Sequence, residues 1–131
     1  MTLTLQPGKA ISIDIETYGR KPNSVILSIG AVQVDFASCT VGKGMHVNMD
    51  PEECEFYGLE REPETVRWWG NQSAVARERT FNPETRVGLK AALQQLTDFI
   101  YGYAGKGRTY EVYANGTDFD ISILCNAYLA V

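Results

Sequence analysis

Residues 11–18, Ile-Ser-Ile-Asp-Ile-Glu-Thr-Tyr, decide how this chain folds. In an extended strand, successive side chains point to opposite faces of the sheet. The three isoleucines therefore share one face, while Asp14 and Glu16 lie together on the other. Two carboxylates so close repel each other unless a hard divalent cation with oxygen ligands lies beside them. The alternative is a strand with one solvated face, which is the commoner explanation of an isolated Asp-x-Glu.

A second acidic stretch, residues 115–120 (Asn-Gly-Thr-Asp-Phe-Asp), also follows a predicted apolar strand. Functional groups of α/β sheets gather at the carboxyl ends of strands, so the two stretches are expected to meet. Taken alone, Asp120 has a structural explanation, because with Thr117 as the N-cap of the last helix it would complete a capping box. Asp118 likewise suits the first turn of that helix. The position of both stretches at strand ends favours a shared site.

The strand pattern predicts a mixed sheet. Residues 11–18, 25–34 and 44–49 alternate or run apolar, and short turns join them into a three-stranded meander. A further strand at residues 109–114 follows a helix, which favours its parallel addition to the meander. Gly30, inside the second strand, indicates a bulge or a close approach of the backbone.

The connections between these strands contain the predicted helices. Residues 50–58 are expected to form an irregular acidic loop, and residues 63–81 one helix or two shorter ones. Residues 82–84, Asn-Pro-Glu, carry the signals of a helix start, and the apolar stripe that follows ends at residues 105–107. The adjacent Trp68 and Trp69 cannot both face the core, so one of them is expected at a helix edge or a groove.

Composition sets the class of protein. A chain of 131 residues with 44% hydrophobic and 21% charged residues is a single globular domain, residues 1–131. A net charge of −4 argues against a protein that coats nucleic acid by charge alone. No apolar run approaches the roughly 20 residues that span a bilayer, and the N-terminus lacks a secretory pattern. Cys39, Cys54 and Cys125 are expected as free thiols, which predicts a cytoplasmic protein.

Several motifs resemble one family. Residues 14–17, Asp-Ile-Glu-Thr, resemble the first motif of the DEDD superfamily of 3′-to-5′ exonucleases, and residues 115–124 resemble its second motif. Residues 65–69, with Gln72 and residues 76–77, are similar to a phage and mycobacterial exonuclease branch. The resemblance implies an α/β fold: a ribonuclease H-like mixed sheet, made of a three-stranded meander plus a parallel strand and flanked by helices, with the C-terminal part missing.

The resemblance also implies a site and its ligands. Asp14 matches the carboxylate that bridges two metal ions, Glu16 a ligand of the ion that activates water, and Asp120 a ligand of the other ion. Two Mg²⁺ or Mn²⁺ ions about 3.5–4 Å apart would then hydrolyse a phosphodiester bond. The expected partner is the 3′ end of single-stranded DNA or RNA, with no membrane contact. The residues implied in nucleic-acid binding are Thr17, Tyr18, Trp69, Asn115 and Phe119.

The third motif of the family is not found in this sequence. It places a His or Tyr a few residues before a last metal-binding Asp, whereas no Asp or Glu follows Asp120 and the only histidine, His46, lies in the third predicted strand. The domain is therefore expected to be incomplete at its C-terminus, which leaves self-association into a homo-oligomer open. Two alternatives to an active exonuclease follow: an inactive ribonuclease H-like module that binds nucleic acid or a partner, and an endonuclease of the same fold.

Overall fold

The computed structural model describes residues 9–105, 111–115 and 117–131, without the side chains of Ala104, Thr117 and Asp118. Within these residues one sheet of five strands has the order β4-β3-β2-β1-β5. Its strands are β1 (Lys9–Thr17), β2 (Ile26–Asp35), β3 (Thr40–Met49), β4 (Arg86–Val87) and β5 (Glu111–Tyr113). β1, β2 and β3 pair antiparallel, while β4 and β5 add parallel at the two edges. The predicted meander with a parallel strand is thereby confirmed.

The helices lie in the connections and after the last strand. They are α1 (Pro51–Phe56), α2 (Pro63–Gly70), α3 (Ala74–Phe81), α4 (Leu89–Ala104) and α5 (Thr117–Ala130). The isoleucine face of β1 is buried in the core together with the apolar stripe of α4 and the inner side of α5. No helix among the described residues is long and apolar enough to cross a membrane.

The opposite side of the sheet carries the polar face, which we define by Asp14, Glu16, Ser28, His46 and Asn48. The strand register places Glu16 opposite Ser28, and Ser28 opposite Asn48. Asp14 lies opposite Gly30, which in turn lies opposite His46. The predicted alternation of β1 is confirmed, because its isoleucines are buried while Asp14 is exposed and Glu16 is half-buried.

Two Asx-Pro pairs in this chain take different structures. The predicted loop at residues 50–58 is wrong: Asp50 caps α1 by accepting a hydrogen bond from the Glu52 N–H at 3.0 Å, with Pro51 in the first turn. The predicted helix start at Asn82 is also wrong. There the side chain of Asn82 accepts a hydrogen bond from the Glu84 N–H at 3.0 Å, which is a turn.

The chain after this turn continues as β4 and not as a helix. Arg86 and Val87 pair with Asn48 and Met49 of β3, and α4 begins only at Leu89. Arg86 and Val87 are extended and not helical because they pair with the edge of β3. The end of α4 is as predicted, since Gly105 has φ +88°, a value in the left-handed region that glycine adopts readily.

The remaining predictions have these outcomes. Residues 63–81 form two helices, and Ser73 caps the second by accepting a hydrogen bond from the Ala76 N–H at 3.1 Å. Of the adjacent tryptophans, Trp69 is buried and Trp68 is exposed. The predicted strand at residues 109–114 is found at Glu111–Tyr113, and its first two residues lie outside the described part of the chain, as does the side chain of Asp118.

Candidate metal centre and aromatic pocket

Three carboxylates lie in one region, where β1 ends and α5 begins. Asp14 and Glu16 project from the polar face, and Asp120 lies in the first turn of α5 with only 5% of its surface exposed. The carboxylate of Asp120 accepts a hydrogen bond from the backbone N–H of Ile15, the residue between the other two. The structure therefore places the three side chains near one end of β1, within range of one another's charges.

The electrostatics of this cluster are those of like charges held close together. The pKa of Glu16 is raised, first by burial and then by the negative charges of Asp14 and Asp120. The pKa of Asp120 is also raised, by burial and by the charge of Asp14, although the Ile15 N–H offsets part of the increase. The folded chain therefore holds these carboxylates at a cost in free energy.

The donor set fits a divalent cation. The two ion pairs among the described residues, Arg20 with Glu64 at 3.9 Å and Arg61 with Glu55 at 2.6 Å, include none of the three carboxylates. Carboxylate oxygens are the hard ligands that Mg²⁺ and Mn²⁺ prefer. The described His, Cys, Asp and Glu side chains nevertheless form no group of three drawn close enough to hold an ion. The three carboxylates are neighbours that a cation would have to draw together.

An aromatic pocket of about 400 Å³ opens beside Glu16. Its walls come from the end of β1, from α2 and from the start of α5. The lining residues that matter for the argument are Glu16, Thr17, Thr65, Trp68, Trp69 and Phe119. The pocket therefore joins one candidate metal ligand to three aromatic side chains, and apolar pockets with a few polar groups are the usual form of ligand sites.

The two tryptophans of the pocket have different surroundings. Trp69 is 6% exposed, and its indole Nε1–H donates to the main-chain oxygen of Thr17 at 2.9 Å. Its ring also meets Phe81 edge-on, with centroids 5.5 Å apart. Trp68 is 53% exposed and lies perpendicular to Trp69, with centroids 5.0 Å apart. Trp69 is thus a fixed wall, and Trp68 offers an open aromatic face.

Trp68 was missed among the predicted site residues, although the sequence contained a signal for it. Val66 and Trp69 share the buried stripe of α2 at a spacing of three residues, which turns Trp68 outward. Thr65 and Arg20 also line the pocket, but no pattern in the sequence indicates either of them as a site residue.

The other residues expected to bind nucleic acid lie in different places. Thr17 lines the pocket, and its hydroxyl donates to the Gly19 carbonyl at 2.6 Å, fixing the turn after β1. Phe119 lines the pocket from α5. Tyr18 instead packs inside, stacked on Phe81 with centroids 5.5 Å apart, and does not line the pocket. Asn115 is exposed in the turn after β5 and is not a lining residue.

Comparison with solved structures identifies the fold. A product-bound structure of exonuclease I is 16% identical in sequence, with a TM-score of 0.64 over 95% of this chain and 26% of that chain. A metal-free complex of E. coli exonuclease I with single-stranded DNA is 15% identical, with a TM-score of 0.64 over 93% of this chain and 24% of that one. The chain thus spans about a quarter of these proteins' length. The mixed sheet flanked by helices is the ribonuclease H-like fold of these exonucleases, as predicted.

A zinc-bound form of the E. coli exonuclease I complex with single-stranded DNA has the same fold, at 16% identity and a TM-score of 0.62 over 95% of this chain and 24% of that chain. No curated protein matches the sequence. The family model of the 3′-5′ exoribonuclease Rv2179c-like domain matches residues 9–131, which is nearly the whole sequence. The chain belongs to the Rv2179c-like 3′-5′ exoribonuclease domain family.

Proposed function

We propose that this chain is a single metal-dependent 3′-to-5′ exonuclease domain that hydrolyses phosphodiester bonds at the 3′ end of single-stranded nucleic acid. The proposal is carried by the charge interaction among Asp14, Glu16 and Asp120, together with the position of Glu16 in the wall of the aromatic pocket. Carboxylates supply metal ligands, and aromatic faces take an unpaired base, so the two features together suit cleavage next to a terminal nucleotide.

The carboxylates have defined roles in this proposal. Asp14, Glu16 and Asp120 would hold the Mg²⁺ or Mn²⁺ ions. When bound, such ions activate water and stabilise the leaving 3′-oxygen. The chain itself contributes orientation, because the Ile15 N–H fixes the carboxylate of Asp120 against the strand that carries the other two.

The aromatic pocket would hold the terminal nucleotide. Trp68 presents an exposed ring for base stacking, and Phe119 approaches from α5. Stacking tolerates every base because each has a π-face, which suits an enzyme that removes nucleotides one after another. The family description names RNA, and we extend the proposed substrates to DNA because structures of similar fold are complexes with single-stranded DNA.

A second candidate function is a ribonuclease H-like module that binds nucleic acid or a protein partner without cleaving it. The observation that favours it is that the described carboxylates form no closed group around an ion position. This candidate predicts binding of oligonucleotides with no hydrolysis, even when Mn²⁺ is present.

The test is degradation of 5′-labelled single-stranded RNA and DNA oligomers with Mn²⁺, with chelator and with the Asp14→Ala variant. A metal-dependent ladder that the variant loses would support the exonuclease. Binding of the oligomers without a ladder, by protein whose circular dichroism shows an intact fold, would support the binding module. Nicking of a closed circular substrate would overturn both in favour of an endonuclease.

A further inference from the structure

A second groove, larger than the aromatic pocket, starts at the same carboxylate. This polar groove has a volume of about 880 Å³ and runs from Glu16 and Trp69 across β2 and β3 to α3. Among the described residues, it shares Glu16 and Trp69 with the aromatic pocket. Glu16, a candidate metal ligand, therefore lies at the boundary of two compartments, one that contains three aromatic rings and one with many polar lining residues.

The sheet register gives the polar groove its direction. Glu16, Ser28, Asn48 and Arg86 are successive partners across four strands, so they form one row on the polar face. Neighbouring strands lie about 4.8 Å apart, which makes the row about 14 Å long. A bound polymer that extends from the metal centre at right angles to the β-strands would follow this row.

Cationic and hydrogen-bonding groups line the polar groove away from the carboxylates. Arg79 contributes from α3 and His46 from β3. Neither of the two ion pairs among the described residues includes Arg79. Glu78 also lines the groove, so the local charge on α3 is mixed, and the guanidinium is the planar group best suited to a phosphate.

Asn48 supplies an independent indication of a ligand. It is only 6% exposed, and its Nδ2 donates to the Arg79 carbonyl at 2.7 Å and to the Thr85 hydroxyl at 3.2 Å. The first bond holds the last turn of α3 on β3, and the second ties the turn before β4 to the same strand. Its Oδ1 is buried and has no hydrogen-bond partner among the described residues. An unpaired buried acceptor is costly, and sugar hydroxyl groups are donors that a bound strand would bring to this wall of the groove.

We propose that the polar groove holds the sugar-phosphate backbone of the nucleotides upstream of the scissile bond, with Arg79 and His46 contacting phosphates. This inference rests on the proposed nuclease function. The terminal nucleotide occupies the aromatic pocket, and the scissile phosphate lies at Glu16, where the pocket and the groove meet. Trp69, fixed by its bond to Thr17, separates the terminal base from the upstream strand.

The first experiment compares Arg79→Gln with Arg77→Gln. Both arginines are exposed on α3 and the two changes remove the same charge, but Arg77 does not line the polar groove. Binding of 5′-fluorescein hexanucleotides is measured by anisotropy in Ca²⁺, with intact substrate verified on gels, and binding of 5′-AMP by calorimetry. We expect Arg79→Gln to weaken hexanucleotide binding about 10-fold and to lower the salt slope by about 1, as loss of one phosphate contact does.

The same variant should leave 5′-AMP binding unchanged, because a mononucleotide occupies only the aromatic pocket. Hexanucleotide binding that is unaffected by Arg79→Gln, or equally weakened by Arg77→Gln, would overturn the inference while leaving the proposed function intact. Failure of the unaltered protein to bind either ligand would overturn the proposed function itself.

A second measurement follows ligand binding to the unaltered protein, so it does not depend on removing a charged side chain. His46 is the only histidine, so its imidazole Hε1 proton gives one assignable NMR signal, confirmed by its disappearance in His46→Gln. The hexanucleotide should shift this signal and 5′-AMP should not. A signal that stays in place while the hexanucleotide saturates the protein would show that the strand takes another path.

Discussion

The indole N–H of Trp69 donates to the carbonyl oxygen of Thr17 at 2.9 Å, joining α2 to the end of β1 across 52 residues of sequence. This bond lies one residue after Glu16, a candidate metal ligand. It therefore fixes the distance between the aromatic helix and the carboxylate strand. The stability of the fold and the geometry of the site depend on the same contact.

The Trp69→Phe substitution should separate this contact from simple packing. Phenylalanine keeps an aromatic ring but leaves the buried Thr17 carbonyl without its donor. An unpaired buried acceptor costs about 1–3 kcal/mol, so the free energy of unfolding in urea should fall by at least that range. Trp68→Phe is the matched control, because Trp68 is half-exposed and should change stability by no more than about 0.5 kcal/mol. Equal losses of unfolding free energy in the two variants would show that the hydrogen bond from Trp69 to Thr17 does not stabilise the fold.

The Trp68→Ala substitution should weaken binding and spare the fold. Loss of one base-stacking ring costs about 1–3 kcal/mol of binding free energy, or roughly 5- to 150-fold in affinity. Because the exposed face of Trp68 belongs to the aromatic pocket, the loss should appear for 5′-AMP as well as for longer oligomers. Calorimetric titration of both ligands measures this. A loss confined to the longer oligomers would place Trp68 on the upstream strand.

How much the sequence predicts depends on the range of the interaction. The alternation of residues 11–16 is local, and it was enough to predict the buried isoleucine face and the paired carboxylates. The polar groove depends on which residue of β2 and β3 lies opposite Glu16. A slip of one residue in that register would turn Ser28 and His46 to the other face, and no local pattern specifies it.

The two Asx-Pro pairs show the same limit at a helix start. Asp50 and Asn82 precede proline in the same way, yet the first caps α1 and the second forms a turn. The difference comes from the edge of β3, which recruits Arg86 and Val87 as β4. Long-range pairing outweighs the local signal, and only the fold as a whole shows where such an edge is available.

The three cysteines should differ sharply in reactivity. Cys39 and Cys125 are exposed, whereas Cys54 is buried, with its thiol directed at the Ile26 carbonyl 3.5 Å away. Burial is the main cause that raises the pKa of Cys54 to about 12, so almost none of it is thiolate at mildly alkaline pH. Iodoacetamide followed by mass spectrometry should show two rapid modifications and a third only after unfolding. Three modifications at one rate would contradict the burial of Cys54.

The carboxylate cluster predicts that, without a metal ion, the ionised form of the site is less stable than the protonated form. The pKa values of Glu16 and Asp120 are raised in the folded chain, so folding favours their protonated forms. Protonation of these two carboxyl groups therefore stabilises the fold. This contribution is fully present below the pKa that the groups have in the unfolded chain, and it is lost as the pH rises through their higher pKa in the folded chain. In chelator, the melting temperature should therefore increase as the pH falls from neutral toward that folded-state pKa. A divalent cation should restore stability at neutral pH by binding only the folded state.

Asp120→Asn tests this balance, because asparagine removes the charge and keeps an acceptor for the Ile15 N–H. In chelator at neutral pH, its melting temperature should exceed that of the unaltered protein by roughly 3–5 °C, the shift expected from about 1 kcal/mol in a domain of this size. Mn²⁺ should raise the melting temperature of the unaltered protein and have little effect on the variant. Asp98→Asn, an equal charge change on the exposed side of α4, should reproduce neither effect. If Asp120→Asn melted lower in chelator, or gained as much from Mn²⁺ as the unaltered protein does, the three carboxylates would not be a metal site.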